Sequence, residues 1–157
     1  MAIENILTEI QQAITDQDGQ SIFERKRLQK AFDAGEARAN QLAVGVTMCV
    51  TDANANPIML YHMPTANLVS LELAPKKAWS AIAMKMPTQA ISQQVQPGAP
   101  LYAMETMLAG KLVSFAGGIP LVIKDKLIGA VGVSGGAVEE DQSISQTIVN
   151  KILEGVQ

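Results

Sequence analysis

The chain has 157 residues, of which 48% are hydrophobic and 17% are charged, so its composition excludes a wholly disordered protein and predicts one domain with its own core. Its net charge of −3 argues against a protein that binds nucleic acid or an anionic membrane through a basic surface. A single cysteine excludes an internal disulfide and a cysteine-based zinc site, and a single histidine excludes a site built from two histidines of one chain.

The first 20 residues predict a helical extension of the domain. Apolar side chains recur at helical spacing over residues 3–14. Glu4 and Glu9 stand where a secretory signal would carry basic residues, and no apolar run reaches the roughly 20 residues needed to cross a bilayer. We therefore expect a cytoplasmic protein without membrane contact, organised as an extension over residues 1–20 and one domain over residues 21–157.

The next segments predict a helix followed by a β-hairpin. Residues 22–42 place apolar side chains on one face and most charges on the other, as in a helix with one solvated face. Residues 44–51 are rich in β-branched side chains, a turn-forming segment follows at 52–57, and residues 58–62 return as a second strand. The core side of the helix is expected to carry Phe23, Leu28, Ala31, Phe32 and Ala39.

A proline interrupts the helical pattern that follows. Residues 68–86 have helical spacing, but Pro75 removes a backbone donor and its ring clashes with the preceding turn. We therefore expect a regular helix only after Pro75, with an irregular segment over 66–74. A second short helix is predicted from Pro87 to Val95, because proline suits the first turn of a helix.

The last part of the chain predicts three strands and a closing helix. After a turn or two of helix over residues 101–109, short strands are expected at 112–115, 120–123 and 127–134, the last two joined tightly. Residues 138–156 repeat apolar side chains at helical spacing. The whole order predicts an α+β fold, with a single antiparallel sheet of about five strands flanked by helices.

Glycine-containing motifs at the end of the last strand do not fit the chemistry that they resemble. The stretch from Gly132 to Gly136 matches the G-x-S-x-G pattern of a nucleophile elbow, yet the only histidine precedes Ser134, whereas in that fold it follows the serine. The glycines lack the spacing and the lysine of a phosphate loop, and the acidic residues 139–141 would repel a phosphate. We interpret the glycines as close-packing positions and Cys49 as a buried, unreactive thiol.

The single histidine and the eight methionines are the side chains most suited to a ligand, and each has a simpler interpretation. His62 is either a surface or capping residue or an axial ligand of iron, which is a common role of imidazole. The methionines either fill the core or provide soft contacts for a flat apolar ligand or a soft metal. Tyr61 and Tyr102 are either pocket phenols or residues at the edge of the core.

Several segments, in the same order along the chain, resemble one protein family. The three longest are Pro97-Gly-Ala-Pro-Leu-Tyr102, Lys111-Leu-Val-Ser-Phe-Ala-Gly-Gly-Ile-Pro-Leu121 and Ile128-Gly-Ala-Val-Gly-Val-Ser-Gly-Gly136. Shorter matches are Lys77-Ala78, Pro87-Thr88 and Val138-Glu-Glu-Asp141. Over residues 25–155 the chain is therefore similar to the GlcG/HbpS family, which includes the C-terminal domain of PduO.

The resemblance implies a profilin-like fold, with one antiparallel sheet of about five strands between helices. Members of the family are homo-oligomers, commonly dimers to octamers, and several bind haem. Others occur beside enzymes that use glycolate, glycerol or propanediol. The arginine and acidic turn that usually follow the second strand of the family are replaced here by His62-Met63-Pro64-Thr65. Residues 22–42 contain no histidine, so a haem iron would use His62, a methionine, a tyrosine or a residue of a neighbouring subunit.

The resemblance also implies the residues of a pocket. These residues either bind the ligand or, as the glycines and prolines of a tight loop, maintain the fold. We expect the ligand-binding residues to be His62, Met63, Lys77, Thr88, Pro100, Tyr102, Phe115, Gly117, Gly118 and Pro120, with His62 as the metal ligand.

Three functions are consistent with these observations. The leading one is a small homo-oligomeric protein that binds haem or a related tetrapyrrole in an apolar, methionine-rich crevice. Such a protein would assist a partner enzyme of diol, glycerol or glycolate metabolism, including cobalamin-dependent metabolism. The second is a structural or assembly module without a cofactor. The third is an enzyme for a small carbonyl or carboxylate compound, with Lys77 or Tyr102 as acid or base; a catalytic lysine would have to be desolvated.

Overall fold

The computed structural model of the protein describes residues 3–14 and 22–156. The polar segment expected to end the first helix, at residues 16–19, lies outside this description. In chain order the elements are α1 (Ile3–Ile14), α2 (Arg25–Gln41), β1 (Thr47–Asp52), β2 (Pro57–His62), α3 (Leu68–Met84), α4 (Thr88–Ser92), α5 (Met104–Met107), β3 (Gly118–Ile123), β4 (Lys126–Ser134) and α6 (Val138–Ile152).

Within residues 22–156, four strands form one antiparallel sheet in the order β2-β1-β4-β3. Helices α2 and α6 pack on one face of this sheet and α3 packs on the other. The predicted α+β architecture, a single antiparallel sheet flanked by helices, is therefore confirmed. Because β2 and β3 are the edges of the sheet, each has one side without a strand neighbour among the described residues.

The segment 112–115, predicted as a fifth strand, is irregular. The backbone N–H of Val113 donates to the Ser80 hydroxyl of α3 at 2.8 Å, so its hydrogen bond goes to a helix and not to a neighbouring strand. Leu112 packs with Ile91 and Val95 beside α4. The segment is thus apolar because it is buried between helices. A short buried segment of this kind has the same apolar pattern as a buried strand.

The main core lies between the sheet and the helices α2 and α6. Alternate residues of a strand point to opposite faces, and the inward set includes Met48 and Val50 of β1 and Val131 and Val133 of β4. Leu28, Ala31, Phe32 and Ala39 of α2 contact this set, as predicted. Phe23, which precedes α2, is half-buried against the same core.

Helix α3 is continuous from Leu68 to Met84, so the prediction of a regular helix only after Pro75 is wrong. The Asn67 side chain caps the helix start by accepting the N–H of Ser70 at 2.9 Å. On the sheet side, Ala74 and its neighbours one and two turns on are fully buried. Packing on both sides of Pro75 therefore outweighs the hydrogen bond that the proline lacks.

Close approach of α3 to the sheet depends on a glycine of β4. A Cβ on Gly132 would overlap the carbonyl oxygen of Ala74, so no other residue allows this distance between helix and strand. Gly132 thus has the close-packing role inferred from the sequence.

The connection between β3 and β4 is tight, as predicted. Lys124 and Asp125 both have positive φ angles, 48° and 62°, which is the conformation of a two-residue hairpin turn. No helix in the described part of the chain is both long and apolar enough to span a bilayer.

Candidate functional site around His62

His62 is the last residue of the edge strand β2, and its side chain is half-buried. It is paired in register with Thr47 of β1. The Thr47 hydroxyl lies 2.7 Å from Nδ1 of the imidazole, and it also lies 2.7 Å from the Ser70 hydroxyl at the start of α3. No described residue provides a hydrogen-bond partner for Nε2 of His62. The ring is therefore held through one nitrogen and open at the other.

Exposed apolar side chains lie on the same side of the sheet as His62. Met59 and Tyr61 point towards the core under α2 and α6, so the alternate residues Ile58, Leu60 and His62 point to the opposite face. Ile58 and Leu60 are 39% and 41% exposed. We call Ile58 and Leu60, which share this face of β2, the apolar patch.

A second cluster is built around Lys77 and lies towards the other edge of the sheet, which β3 forms. This lysine is fully buried, and its ammonium donates to the carbonyl of Val133 at 2.8 Å and to Oδ2 of Asp141 at 2.7 Å. The ring centroid of Phe115 lies 4.9 Å from the same nitrogen. Oδ1 of Asp141 accepts the backbone N–H of Gly136 at 2.9 Å. Both charges are thus paired inside the protein.

Burial dominates the protonation of this ion pair. Loss of hydration lowers the pKa of Lys77, and the attraction of the Asp141 carboxylate opposes that shift. Burial likewise raises the pKa of Asp141, against the attraction of Lys77 and the hydrogen bond from Gly136. The lysine is desolvated as a catalytic amine would be, but its nitrogen is enclosed by Val133, Asp141 and Phe115.

The loop before β3 closes over the Lys77 cluster. The Gly118 N–H donates to the Thr88 hydroxyl at 2.9 Å, and the Gly117 N–H donates to the Gln142 side chain at 3.1 Å. A Cβ on Gly117 would lie 2.8 Å from the Lys77 ammonium, and one on Gly118 would overlap the Lys77 carbonyl. These residues therefore contact one another, and no room for a side chain remains at the two glycines.

The structure divides the predicted site residues into separate groups. Met63 is buried in the main core, and Pro100 and Tyr102 are exposed in the loop before α5. Pro120 is half-buried in β3, opposite Ala130. The residues that the structure brings together are Lys77, Thr88, Phe115, Gly117 and Gly118, whereas His62 lies at the opposite edge of the sheet. A ligand-binding role for any of them stays a prediction.

Three contact residues were not found from the sequence. Asp141 was noted in the acidic start of α6 and in one of the family motifs, but not as the partner of Lys77, and Thr47 and Ser70 were not singled out at all. A signal for Asp141 does exist, since Lys77 shares the apolar face of α3 with Ala74 and requires a buried partner. No comparable signal marks Thr47, because a threonine in a strand is ordinary.

The described residues hold no cluster of three or more His, Cys, Asp or Glu side chains that could bind a metal ion. Cys49 is buried, as predicted, and burial raises the pKa of its thiol to about 12. A metal centre made only of protein ligands is thus not indicated in this part of the chain, whereas a metal that brings its own ligands needs only one or two donors.

Comparison with known proteins identifies the family. Residues 12–150 match the family described as haem degrading protein HbpS-like. The chain is 50% identical over 119 residues to the corrinoid adenosyltransferase PduO of Salmonella typhimurium, which covers 76% of this chain and 35% of that protein. It is 36% identical over 121 residues to an uncharacterized 15.0 kDa protein of Citrobacter freundii from the dhaT-dhaS intergenic region, covering 77% and 85%.

A solved structure agrees with this result. The crystal structure of a PduOC:haem complex superimposes with a TM-score of 0.80 at 46% identity, covering 85% of this chain and 96% of that one. The chain spans little more than a third of the PduO proteins that it matches, 35% and 38% of their length. The resemblance found in the sequence is therefore confirmed, and the chain belongs to the HbpS-like family.

Proposed function

We propose that the protein binds haem or a related tetrapyrrole, whose iron Nε2 of His62 would hold. The observation that carries this proposal is the His62 imidazole, anchored through Nδ1 to Thr47 and open at Nε2 beside exposed apolar side chains. Further support comes from the relative that was crystallised with haem and is 46% identical.

The residues around His62 suit such a group. A tetrapyrrole is a flat, largely apolar ligand that needs an apolar surface and a donor atom for its metal. The apolar patch offers the first, and the imidazole offers the second. When bound, haem supplies an iron whose reactivity depends on its axial ligand. The protein itself would bind and orient the macrocycle, since Thr47 fixes the ring of His62.

A binding role fits these side chains better than acid–base catalysis. The Lys77 ammonium is enclosed by Val133, Asp141 and Phe115, so a substrate would reach it only if the loop before β3 moved. Tyr102 is 59% exposed in the loop before α5. General acid–base catalysis needs a group that a substrate can reach and that a partner residue orients. Lys77 has a partner but is enclosed, and Tyr102 is exposed but has no such partner among the described residues.

We further propose that this binding assists the metabolism of diols or glycerol, in a homo-oligomer in the cytoplasm. The support is the identity to PduO, a corrinoid adenosyltransferase, and to a protein from the dhaT-dhaS intergenic region. Co-purification of tagged protein from cells grown on 1,2-propanediol or glycerol tests the association with a partner enzyme of that metabolism.

Titration of the purified protein with ferric haem tests the proposed ligand and its anchor. We expect a shifted, intensified Soret band that saturates with haem, and a loss of that shift in His62→Ala, because the imidazole nitrogen is removed. Met107→Ala is the matched control, since it removes an exposed thioether, another possible iron ligand, and should leave the spectrum unchanged. An unshifted wild-type spectrum contradicts haem binding, and a normal His62→Ala spectrum contradicts the assigned ligand.

A second candidate function, an assembly module without cofactor, is favoured by one observation. The surface around α5 exposes large apolar side chains, among them Tyr102, Met107 and Phe115, of which Met107 is 80% exposed. Exposed apolar clusters are typical of contact surfaces between proteins. Light scattering on the haem-free protein tests this function, which requires a stable assembly that haem does not change.

A further inference from the structure

We propose that Thr47 and Ser70 are positioning residues that hold His62 in the tautomer with its proton on Nδ1, so that Nε2 carries a free lone pair for a metal. This inference rests on the proposed function, because it concerns how the chain prepares the same imidazole for iron. It depends on three hydrogen bonds that join α3, β1 and β2.

The direction of these hydrogen bonds follows from the proton count. The Ser70 hydroxyl lies 2.6 Å from the carbonyl oxygen of Asn67, and a carbonyl oxygen only accepts, so Ser70 uses its single proton there. The Thr47 hydroxyl, 2.7 Å from Ser70, must then donate to the serine oxygen. Its own proton is used, so at 2.7 Å from His62 it accepts from the ring. Nδ1 therefore carries a proton, and in the neutral imidazole Nε2 does not.

Burial makes this arrangement stable. Thr47 and Ser70 are fully buried, so water does not compete for their hydroxyl groups. The carbonyl of Asn67 belongs to the capped start of α3, whose position is fixed by the cap and by packing on the sheet. The chain of bonds thus begins at a fixed acceptor and ends at the ring. Residues that orient a metal-binding histidine through its second nitrogen commonly raise metal affinity about ten- to a hundredfold.

The tautomer can be measured without any haem. The chain has one histidine, so a long-range ¹H–¹⁵N spectrum of the haem-free protein at a pH where the imidazole is neutral reports on His62 alone. We expect the wild-type spectrum to show a protonated Nδ1 and an unprotonated Nε2. A spectrum with the proton on Nε2 overturns the inference directly.

Two substitutions test separately whether the hydrogen bond between Thr47 and His62 is needed and whether its direction matters. Thr47→Val keeps the shape of the side chain but removes the acceptor of the ring proton. Ser70→Ala keeps the Thr47 hydroxyl but frees its proton to turn towards Nδ1. Both should abolish the single tautomer and weaken ferric haem binding about ten- to a hundredfold. Thr47→Ser should behave as wild type, because it keeps the hydroxyl.

Ser80→Ala is the matched control for loss of a buried hydroxyl from α3. The Ser80 hydroxyl donates to the carbonyl of Lys76 and accepts from the backbone N–H of Val113. It lies ten residues along α3 from Ser70, which contacts Thr47. It should change neither the tautomer nor haem affinity, and thermal unfolding of every variant checks that the fold is kept. If Thr47→Val does not fold, Ser70→Ala and Thr47→Ser still decide the result.

The possible failures are distinguishable. If the tautomer changes in Thr47→Val and Ser70→Ala while haem affinity stays at the wild-type level, the positioning role is wrong and haem binding stands. If His62→Ala binds haem as wild type does, the assigned ligand of the proposed function is wrong, whereas the tautomer result in the haem-free protein is unaffected.

Discussion

At the residue scale, Lys77 shows how a side chain predicted for a pocket is used inside the protein. Its hydrogen bonds to Val133 and Asp141 connect α3 to β4 and α6, residues 56 and 64 positions further along the chain. The position of this lysine on the apolar face of α3 indicates that it needs a buried partner, but it does not identify that partner. Its partner is 64 residues away, and only the packing of α6 beside β4 brings the two together.

Substituting Lys77 by methionine should strongly destabilise the protein. The change leaves the Asp141 carboxylate buried without its counter-charge, which costs about 3–5 kcal/mol of the free energy of unfolding. The double variant Lys77→Met with Asp141→Asn should recover much of this loss, because no unpaired charge remains. Urea unfolding of the three proteins measures both effects. A single variant as stable as wild type would show that the ion pair does not hold the fold.

Cys49 should make stability depend on pH in the alkaline range. Burial raises the pKa of its thiol from 9.0 to about 12 in the folded protein, whereas an unfolded chain has the ordinary value. Between these values the folded state keeps a proton that the unfolded state loses. The free energy of unfolding therefore falls as pH rises from 9 to 12, by about 1.4 kcal/mol per pH unit from this group.

Comparison with Cys49→Ala isolates this contribution from the titration of lysines and tyrosines. The difference in unfolding free energy between wild type and variant should be constant below pH 9 and should shift in favour of the variant above it. A difference that stays constant up to pH 11 contradicts a buried, protonated thiol. Slow labelling by a thiol reagent at pH 8 is the accompanying observation.

At the element scale, α3 departs most from what its sequence predicts. Pro75 lies inside a helix that begins at Leu68, because both halves of the helix are buried against the sheet. Local preference can be read from a sequence, but the energy of packing against a sheet comes from residues elsewhere, such as Gly132. The segment 112–115 shows the opposite error, because its apolar residues suggested a strand but pack against helices.

Substituting Pro75 by alanine should stabilise the protein. Alanine restores a backbone N–H that can donate one turn back and removes the clash of the proline ring, a gain of about 1–3 kcal/mol. Pro87→Ala is the control, since Pro87 precedes the first turn of α4 with a φ of −58°, a value that proline prefers. Thermal unfolding of both variants gives the comparison. If Pro75→Ala unfolds at a lower temperature, the proline itself fits the helix.

At the scale of the whole molecule, the fold class and the order of the elements, apart from the expected strand at 112–115, were predictable from periodicity and turn residues. The hairpins needed only local signals, such as the two-residue connection at Lys124 and Asp125. The family followed from motifs spread between Lys77 and Asp141, and the comparison confirms it. The site was harder to predict from the sequence, because it depends on which helix covers which face of the sheet. His62 and Lys77, predicted as one site, lie towards opposite edges.

The contact between Lys77 and Asp141 has a consequence for synthesis of the chain. Translation produces β1, β2 and α3 long before the start of α6. In a partly synthesised chain, Lys77 therefore cannot be buried as an ion pair, because Asp141 is not yet present. The nascent domain should thus stay open until residue 141 has left the ribosome, and then close. Protease digestion of chains arrested before and after that residue would reveal the change from a sensitive to a resistant form.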